Sequence, residues 1–326
     1  MSIRGLSPVL ISQADDCDRP VSTSLNSQRI VIAGPTASGK GRLAAELARR
    51  LDSEIVSVDS MKIYRGMDIG TAKPSPAERR EIRYHLIDIV DPFEEFSVGE
   101  FIPRILAVVG EIESRGKTAI LQGGTAFYLN ALFRGIFDGP SADWELRREL
   151  EREADDKGLS HLYSELLHAD PEVTRTIHAH DRRRIVRALE VLRSTGRKLS
   201  ELWKNRSACF PENSYRCFGI EWEREALYRR IDERVEEMVR RGLFEEVRDL
   251  LKDPRGLGRS AAFCLGYRQI IEGEATGRDP AETVAVIQRD TRRFAKQQLT
   301  WFRKFPMEWL PPEPPERLAD RVLAVR

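Results

Sequence analysis

The eight residues GPTASGKG at positions 34–41 constrain this chain more tightly than any other stretch. Gly34, Gly39 and Lys40 satisfy the pattern GxxxxGK. The apolar run QRIVIAG (28–34) leads into it, and Leu43, Leu47 and Leu51 follow at four-residue spacing, so the order is strand, loop, helix. In that setting backbone N–H groups and the helix N-terminus surround phosphate oxygens while the lysine neutralises charge. The phosphate-binding set is therefore Gly34, Pro35, Thr36, Ala37, Ser38, Gly39, Lys40 and Gly41. Gly41 stands where P-loop NTPases carry the Ser or Thr that holds magnesium. That departure weakens a standard ATPase or kinase reading and leaves Ser38, or Thr36, as the hydroxyl for a metal.

Further apolar runs alternate with helical patterns. EIVSVDS (54–60) ends in Asp59 and Ser60, and HLIDIV (85–90) and KTAILQGGT (117–125) read as two more buried strands. Ser97 with Glu100 forms a capping box before a helix bearing Phe101, Ile105, Val108 and Ile112. This alternation predicts an α/β fold: a P-loop NTPase-like parallel sheet flanked by helices, with ligands at the carboxyl ends of the strands. Asp59 and Thr125 belong to that edge. A small-molecule P-loop kinase, with Asp59 or Asp88 on its metal, remains open on topology alone.

Composition shifts near Gly139-Pro140, and the charged, helical stretch from Asp143 to about Arg206 predicts an insertion. RCFGIEW (216–222) reads as a return to the sheet, followed by a helix carrying Leu227, Ile231, Val235 and Met238, and a last long helix from about Pro280 to Lys304. The expected organisation is a loose tail over 1–28, a core over 29–139, a helical insertion over 140–210, core completion with a basic helix over 211–310, and a proline-rich connector with a terminal helix over 311–326. No apolar run approaches the roughly 18 to 20 residues of a membrane span, and the start lacks the order of a secretory signal. The four cysteines have no CxxC spacing, so a reducing cytoplasm is the expected setting. With 53 basic and 52 acidic residues, bulk charge is silent about nucleic acid.

Several stretches in order, GPTASGK, DSMKIYRGMDIGTAKP (59–74), QGGTAFYL (122–129), PSADWELR (140–147), HAHDRRRIVRALEVLRSTG (178–196), RIDERVEEM (230–238) and TRRFAKQQLTWFRK (291–304), resemble the tRNA dimethylallyltransferases over about residues 29–310. The resemblance implies a P-loop-type core with a helical insertion. It also implies transfer of a dimethylallyl group from its diphosphate to the exocyclic amine of the adenosine 3′ of the anticodon. Residues 34–40 and magnesium would then hold a diphosphate that leaves, with Lys40 and Arg234 stabilising its charge. Asp59 matches the family's general base, and Thr125 would orient the same adenosine. The base must be splayed from its stack into a channel lined by Asp59, Ser60, Met61 and Lys62. The expected partners are dimethylallyl diphosphate and a tRNA anticodon stem-loop, the protein acting as a monomer away from membranes.

Local basic residues fit that partner. Arg289, Arg292, Arg293 and Lys296 share one helix face, where repulsion calls for an anion, with Phe294 and Trp301 on the packing side. Arg183, Arg184 and Arg187 repeat the pattern on the insertion, and Arg147 is placed near the RNA loop. A plain solvated face is the alternative for both. Departures from the family's usual residues at Gly41, Lys62, Gln122, Ala126-Phe127, His180 and Gln297 leave a second possibility, a diverged tRNA-binding paralogue with reduced or lost catalysis.

Overall fold

A computed structural model describes residues 28–137, 139–140 and 142–324, so the tail expected over 1–28 lies almost wholly outside the described residues. Six parallel strands form one sheet. The apolar runs at 28–34, 54–60 and 117–125 become β1 (Arg29–Ala33), β2 (Ile55–Val58) and, after the two-residue β3 (Tyr84–His85), β4 (Ile120–Gly123). RCFGIEW supplies β5 (Tyr215–Ile220), and β6 (Glu308–Leu310), which sequence reasoning missed, closes the edge. Their order is β3-β2-β4-β1-β5-β6.

The strands are apolar nearly throughout because both faces are covered. Val31, Ala33, Val56, Val58 and Leu121 belong to the core on one face, and Ile30, Ile32, Ile55 and Ile120 to the core on the other. This is the period-two alternation of a sheet with two buried sides. Leu43 and Leu47 of α1 (Lys40–Arg50) cover the second face. After the short α2 (Pro76–Glu81), the first face is covered by α3 (Val98–Ser114) and α4 (Ala126–Arg134). Ser97 and Glu100 make both bonds of the expected capping box at the start of α3.

Four helices, α5 (Trp144–Asp156), α6 (Leu159–Ala169), α7 (Arg182–Thr195) and α8 (Leu199–Lys204), pack around Leu150, Leu162, Leu166, Ile185 and Leu189, a hydrophobic cluster separate from the sheet. The chain then returns through β5 to α9 (Arg224–Arg240), α10 (Leu243–Leu251), α11 (Arg259–Ala262), α12 (Tyr267–Thr276) and the long α13 (Pro280–Phe302). The last helix, α14 (Pro315–Ala324), lies on α1 through Leu318 and Val322.

Two local expectations need correction. HLIDIV is not a full strand, since Leu86 and Asp88 take φ values of 60° and 57° and turn the chain. Its later residues pair instead with the segment after Asp59, through Ile89 N–H to the Ile63 carbonyl (2.8 Å), while the Asp88 carboxylate binds Lys73 and Arg79. Phe294 and Trp301 are not the packing side of α13 but are 39% and 37% exposed; Ile287, Ala295, Gln298 and Phe302 face inward.

The junction of β1, β4 and β2 depends on a residue without a side chain. Gly123 is in register with both Ala33 and Val58, and a Cβ there would lie 1.9 Å from the Val58 carbonyl oxygen. Gly123→Ala is therefore expected to cost more than about 2 kcal/mol in urea unfolding. Gly110→Ala, in exposed α3 with nothing within 4 Å of the new methyl, should gain roughly 0.5–1 kcal/mol.

Candidate active site

Because β2 and β1 both neighbour β4, the turns leaving these strands meet at one edge of the sheet. The glycine loop leaves β1 with Gly34 at φ 144°, Ala37 at 61° and Gly39 at 95°. Such angles exclude most side chains at the two glycines. The first-turn amides of α1 have no earlier helical carbonyl to meet. The loop's carbonyls are held from behind: Arg230 Nε donates to Ala37 O (2.9 Å), Trp222 Nε1 to Ser38 O (2.9 Å) and Lys40 Nζ to Pro35 O (3.0 Å). Arg230 also lies over the Trp222 ring at 4.2 Å.

The turn after β2 carries the carboxylate. Met61 and Lys62 N–H groups donate to Asp59 Oδ1 (2.9 and 3.3 Å), so one oxygen shapes the turn and Oδ2 takes neither bond. Thr125 occupies the N-cap position of α4, yet its hydroxyl does not cap. Its Oγ1 accepts from Ser60 N–H (3.0 Å) and lies 3.3 Å from Ser60 Oγ, which locks the turn after β4 to the turn after β2. Gln298 of α13 joins the third turn: Thr36 N–H donates to its Oε1 (2.9 Å), and its Nε2 donates to the Gly124 carbonyl (2.8 Å).

These groups border a cavity of about 900 Å³. Thr36, Ala37, Gly39, Lys40 and Gly41 line it on one side, and Asp59, Ser60, Met61, Lys62 and Thr125 on another. Arg234 from α9 and Arg289 and Arg293 from α13 complete the basic wall. Burial, with Arg234 adding to it, pushes the Lys40 ammonium down to about 7, against the pull of Asp59. Burial likewise lowers Lys62 and Arg234, and Asp59 opposes both shifts. One carboxylate thus faces three desolvated cations.

Other sequence-predicted residues are placed differently. Gly34, Pro35 and Ser38 shape the loop without lining the cavity. Ser38 Oγ is buried without a partner, 3.5 Å from where a Gly34 Cβ would sit. Among the described residues no three His, Cys, Asp or Glu side chains form a metal-holding group. The basic faces also differ from expectation, because their repulsion is already relieved within the chain. Arg292 is paired with Asp232; Asp290 lies 3.0 Å from Arg289 and 3.5 Å from Arg293. Arg147 and Arg187 converge on Glu190, which is fully buried, at 2.6 and 2.8 Å and so hold the insertion together. Arg184 lies 3.3 Å from Asp181, whereas Arg183 and Lys296 are exposed with no ion pair among the described residues.

Sequence reasoning missed Arg230, Trp222 and Gln298. Trp222 ends the apolar run of β5, and Gln298 is a polar residue on the inward side of α13. Those positions were the available signals.

The parallel sheet, the glycine loop at a helix start and the cationic cavity beside a carboxylate define a P-loop-like protein adapted to an anionic substrate. The chain belongs to the IPP transferase family, whose model matches residues 62–305. It is 45% identical over 296 residues to tRNA dimethylallyltransferase 2 of Geotalea uraniireducens, covering 89% of this chain and 93% of that protein. It is 46% identical over 277 residues to the tRNA dimethylallyltransferase of Geobacter metallireducens, covering 84% and 89%. Among solved structures, the tRNA isopentenylpyrophosphate transferase of Bacillus halodurans matches with a TM-score of 0.65 and 34% identity, over 91% of this chain and 96% of that one. A eukaryotic dimethylallyltransferase described as acting on tRNA matches with a TM-score of 0.76 and 25% identity, over 92% and 78%.

The lowered Lys40 sets a pH signature. Without an anion beside it the Lys40 ammonium loses its proton as pH rises through about 7, and an anion there favours the charged form again. Binding of inorganic diphosphate at pH 8 should therefore take up a proton, measurable by calorimetry in buffers of different ionisation enthalpy. Affinity should fall with rising pH by up to roughly tenfold per unit in that window. Lys40→Arg should abolish this component, the ligand's own titration being common to both proteins.

Proposed function

We propose that this chain transfers the dimethylallyl group of dimethylallyl diphosphate to the exocyclic amine of the adenosine 3′ of the anticodon in tRNA, giving isopentenyladenosine and diphosphate. The observation that carries this reading is one cavity with an anion cradle at one wall and a positioned carboxylate at another, in a member of this family. The C–O bond to the diphosphate breaks and a C–N bond forms. The glycine loop, Lys40 and Arg234 stabilise the charge developing on the leaving group. The attacking amine is weakly basic because its lone pair is delocalised into the ring, and it sheds a proton as the new bond forms. Asp59 Oδ2 accepts that proton, while the bonds to Oδ1 keep the carboxylate in place. Thr125, fixed by Ser60, positions the base.

Magnesium, when bound with the diphosphate, adds positive charge on the leaving oxygens. Of the loop's two hydroxyls, Thr36 lines the cavity and would help hold such a cation, whereas Ser38 does not line it. Tight contact with tRNA phosphates falls to exposed Arg183 and Lys296, which have no ion pair among the described residues, and to exposed Arg293. A role on tRNA supports a cytoplasmic setting, and no helix among the described residues is long and apolar enough to cross a membrane.

Purified protein given dimethylallyl diphosphate, magnesium and unmodified tRNA should yield isopentenyladenosine, read by mass after digestion, without ATP. ATP-dependent phosphorylation with no prenylated nucleoside would sink the reading, as would tRNA binding with no product. Asp59→Asn keeps the turn-forming carbonyl oxygen but cannot take a proton, so single-turnover rates should drop roughly 10²- to 10⁴-fold with tRNA affinity retained. Unchanged rates would remove Asp59 from the chemistry.

Gly41 lines the cavity on the first turn of α1, with nothing within 4 Å of an added Cβ. Gly41→Thr therefore has room for a hydroxyl in the place where P-loop proteins hold magnesium. The expected outcome is a lower magnesium concentration for half-maximal transfer, together with a stability gain of a few tenths of a kcal/mol from the better helix former. Coincident magnesium titrations would mean that other donors already fill that role.

A further inference from the structure

Phe263 has no part in the chemistry above, yet it is the most exposed large hydrophobic side chain among the described residues at 61%, and it lines the same cavity. Its backbone is firmly held. Gly258 N–H donates to the Pro92 carbonyl (2.8 Å), Ser260 Oγ donates to Glu95 (2.7 Å), and Arg259 reaches Glu151 of α5 (3.1 Å). Ala261 and Cys264 on either side are buried. A pinned turn thus presents an aromatic ring to water and leaves most of its burial unrealised. A second half-exposed ring, Phe294 of α13, lines the cavity from a separate element, and Arg268, Arg289 and Arg293 lie on the same wall.

Two candidates could cover Phe263. The dimethylallyl chain is held to the diphosphate in the glycine loop and must meet a nucleophile at Asp59, so its apolar surroundings are the inner lining, Val235, Leu243, Ile287 and buried Cys264. An exposed ring among guanidinium groups suits a different chemistry: an unpaired nucleobase stacked on the ring with phosphates on the arginines. We propose that Phe263, assisted by Phe294, stacks an unpaired base neighbouring the target adenosine and so positions the RNA, a role that rests on the transfer reading. It holds the loop open while the target base enters the cavity.

The test uses the full chain and a synthetic anticodon stem-loop with 2-aminopurine placed in turn at each unpaired position beside the target. One position should change fluorescence on binding to the wild type and to Phe263→Trp but not to Phe263→Ala. Phe263→Ala should raise KM for the RNA roughly 5- to 150-fold, the worth of one stacked base, with kcat and KM for dimethylallyl diphosphate unmoved. An abasic residue at the responding position should erase the difference between wild type and Phe263→Ala. The proposal is overturned if no position responds to Phe263→Ala, or if the variant shifts KM for dimethylallyl diphosphate instead, which would put the ring on the prenyl wall. Fluorescence reads stacking without turnover, so a wild type that makes no isopentenyladenosine would sink the transfer reading alone.

Discussion

The concentration of cations around Asp59 is the constraint on which the site depends. Lys40, Lys62 and Arg234 line one cavity with a single carboxylate among them near the loop, and burial lowers all three from their ordinary values. Elsewhere several half-buried arginines are matched by acids, as Arg292 is by Asp232 and Arg147 by Glu190. Desolvated positive charge is thus held at the cavity where a diphosphate and an RNA strand would meet. A protein holding desolvated charge in this way is poised for an anion, because the ligand supplies what the fold withholds.

Holding that arrangement is the task of the sheet edge. Three turns leave adjacent strands, and each is tied to another by a side chain: Thr125 to Ser60, and Gln298 to both Thr36 and Gly124. Gly123 permits the close approach of β4 and β2 that brings these turns together. Arg230 and Trp222 reach back from beyond β5 to hold the Ala37 and Ser38 carbonyls. The cavity-lining groups therefore sit on short turns whose freedom has been removed by neighbours remote in sequence, which is what preorganised electrostatic stabilisation requires.

Much of this was legible beforehand for local reasons. A GxxxxGK loop between an apolar strand and a leucine-spaced helix dictates its own geometry, and the Ser97–Glu100 box is satisfied within four residues. HLIDIV misled because its apolar pattern fits a strand, while the ion pairs of Asp88 with Lys73 and Arg79, fixed by tertiary folding, favour a turn. The arginine faces were legible in part: helical spacing brings Arg289, Arg292 and Arg293 together, but the pairing of Arg292 with Asp232 comes from another helix.

The sequence by itself determined the GxxxxGK loop, the alternating parallel fold and the family, and it marked Asp59, Thr125 and Arg234 as candidates, since each rests on short-range pattern or on the ordered motifs. Only the tertiary structure decided which acids meet which cations, as Asp232 meets Arg292, and that Gln298, Arg230 and Trp222 hold the loop. Those outcomes depend on contacts between residues about 60 to 260 positions apart. Side-chain pairing at such separations is set by how strands and helices pack, and a linear pattern does not carry it.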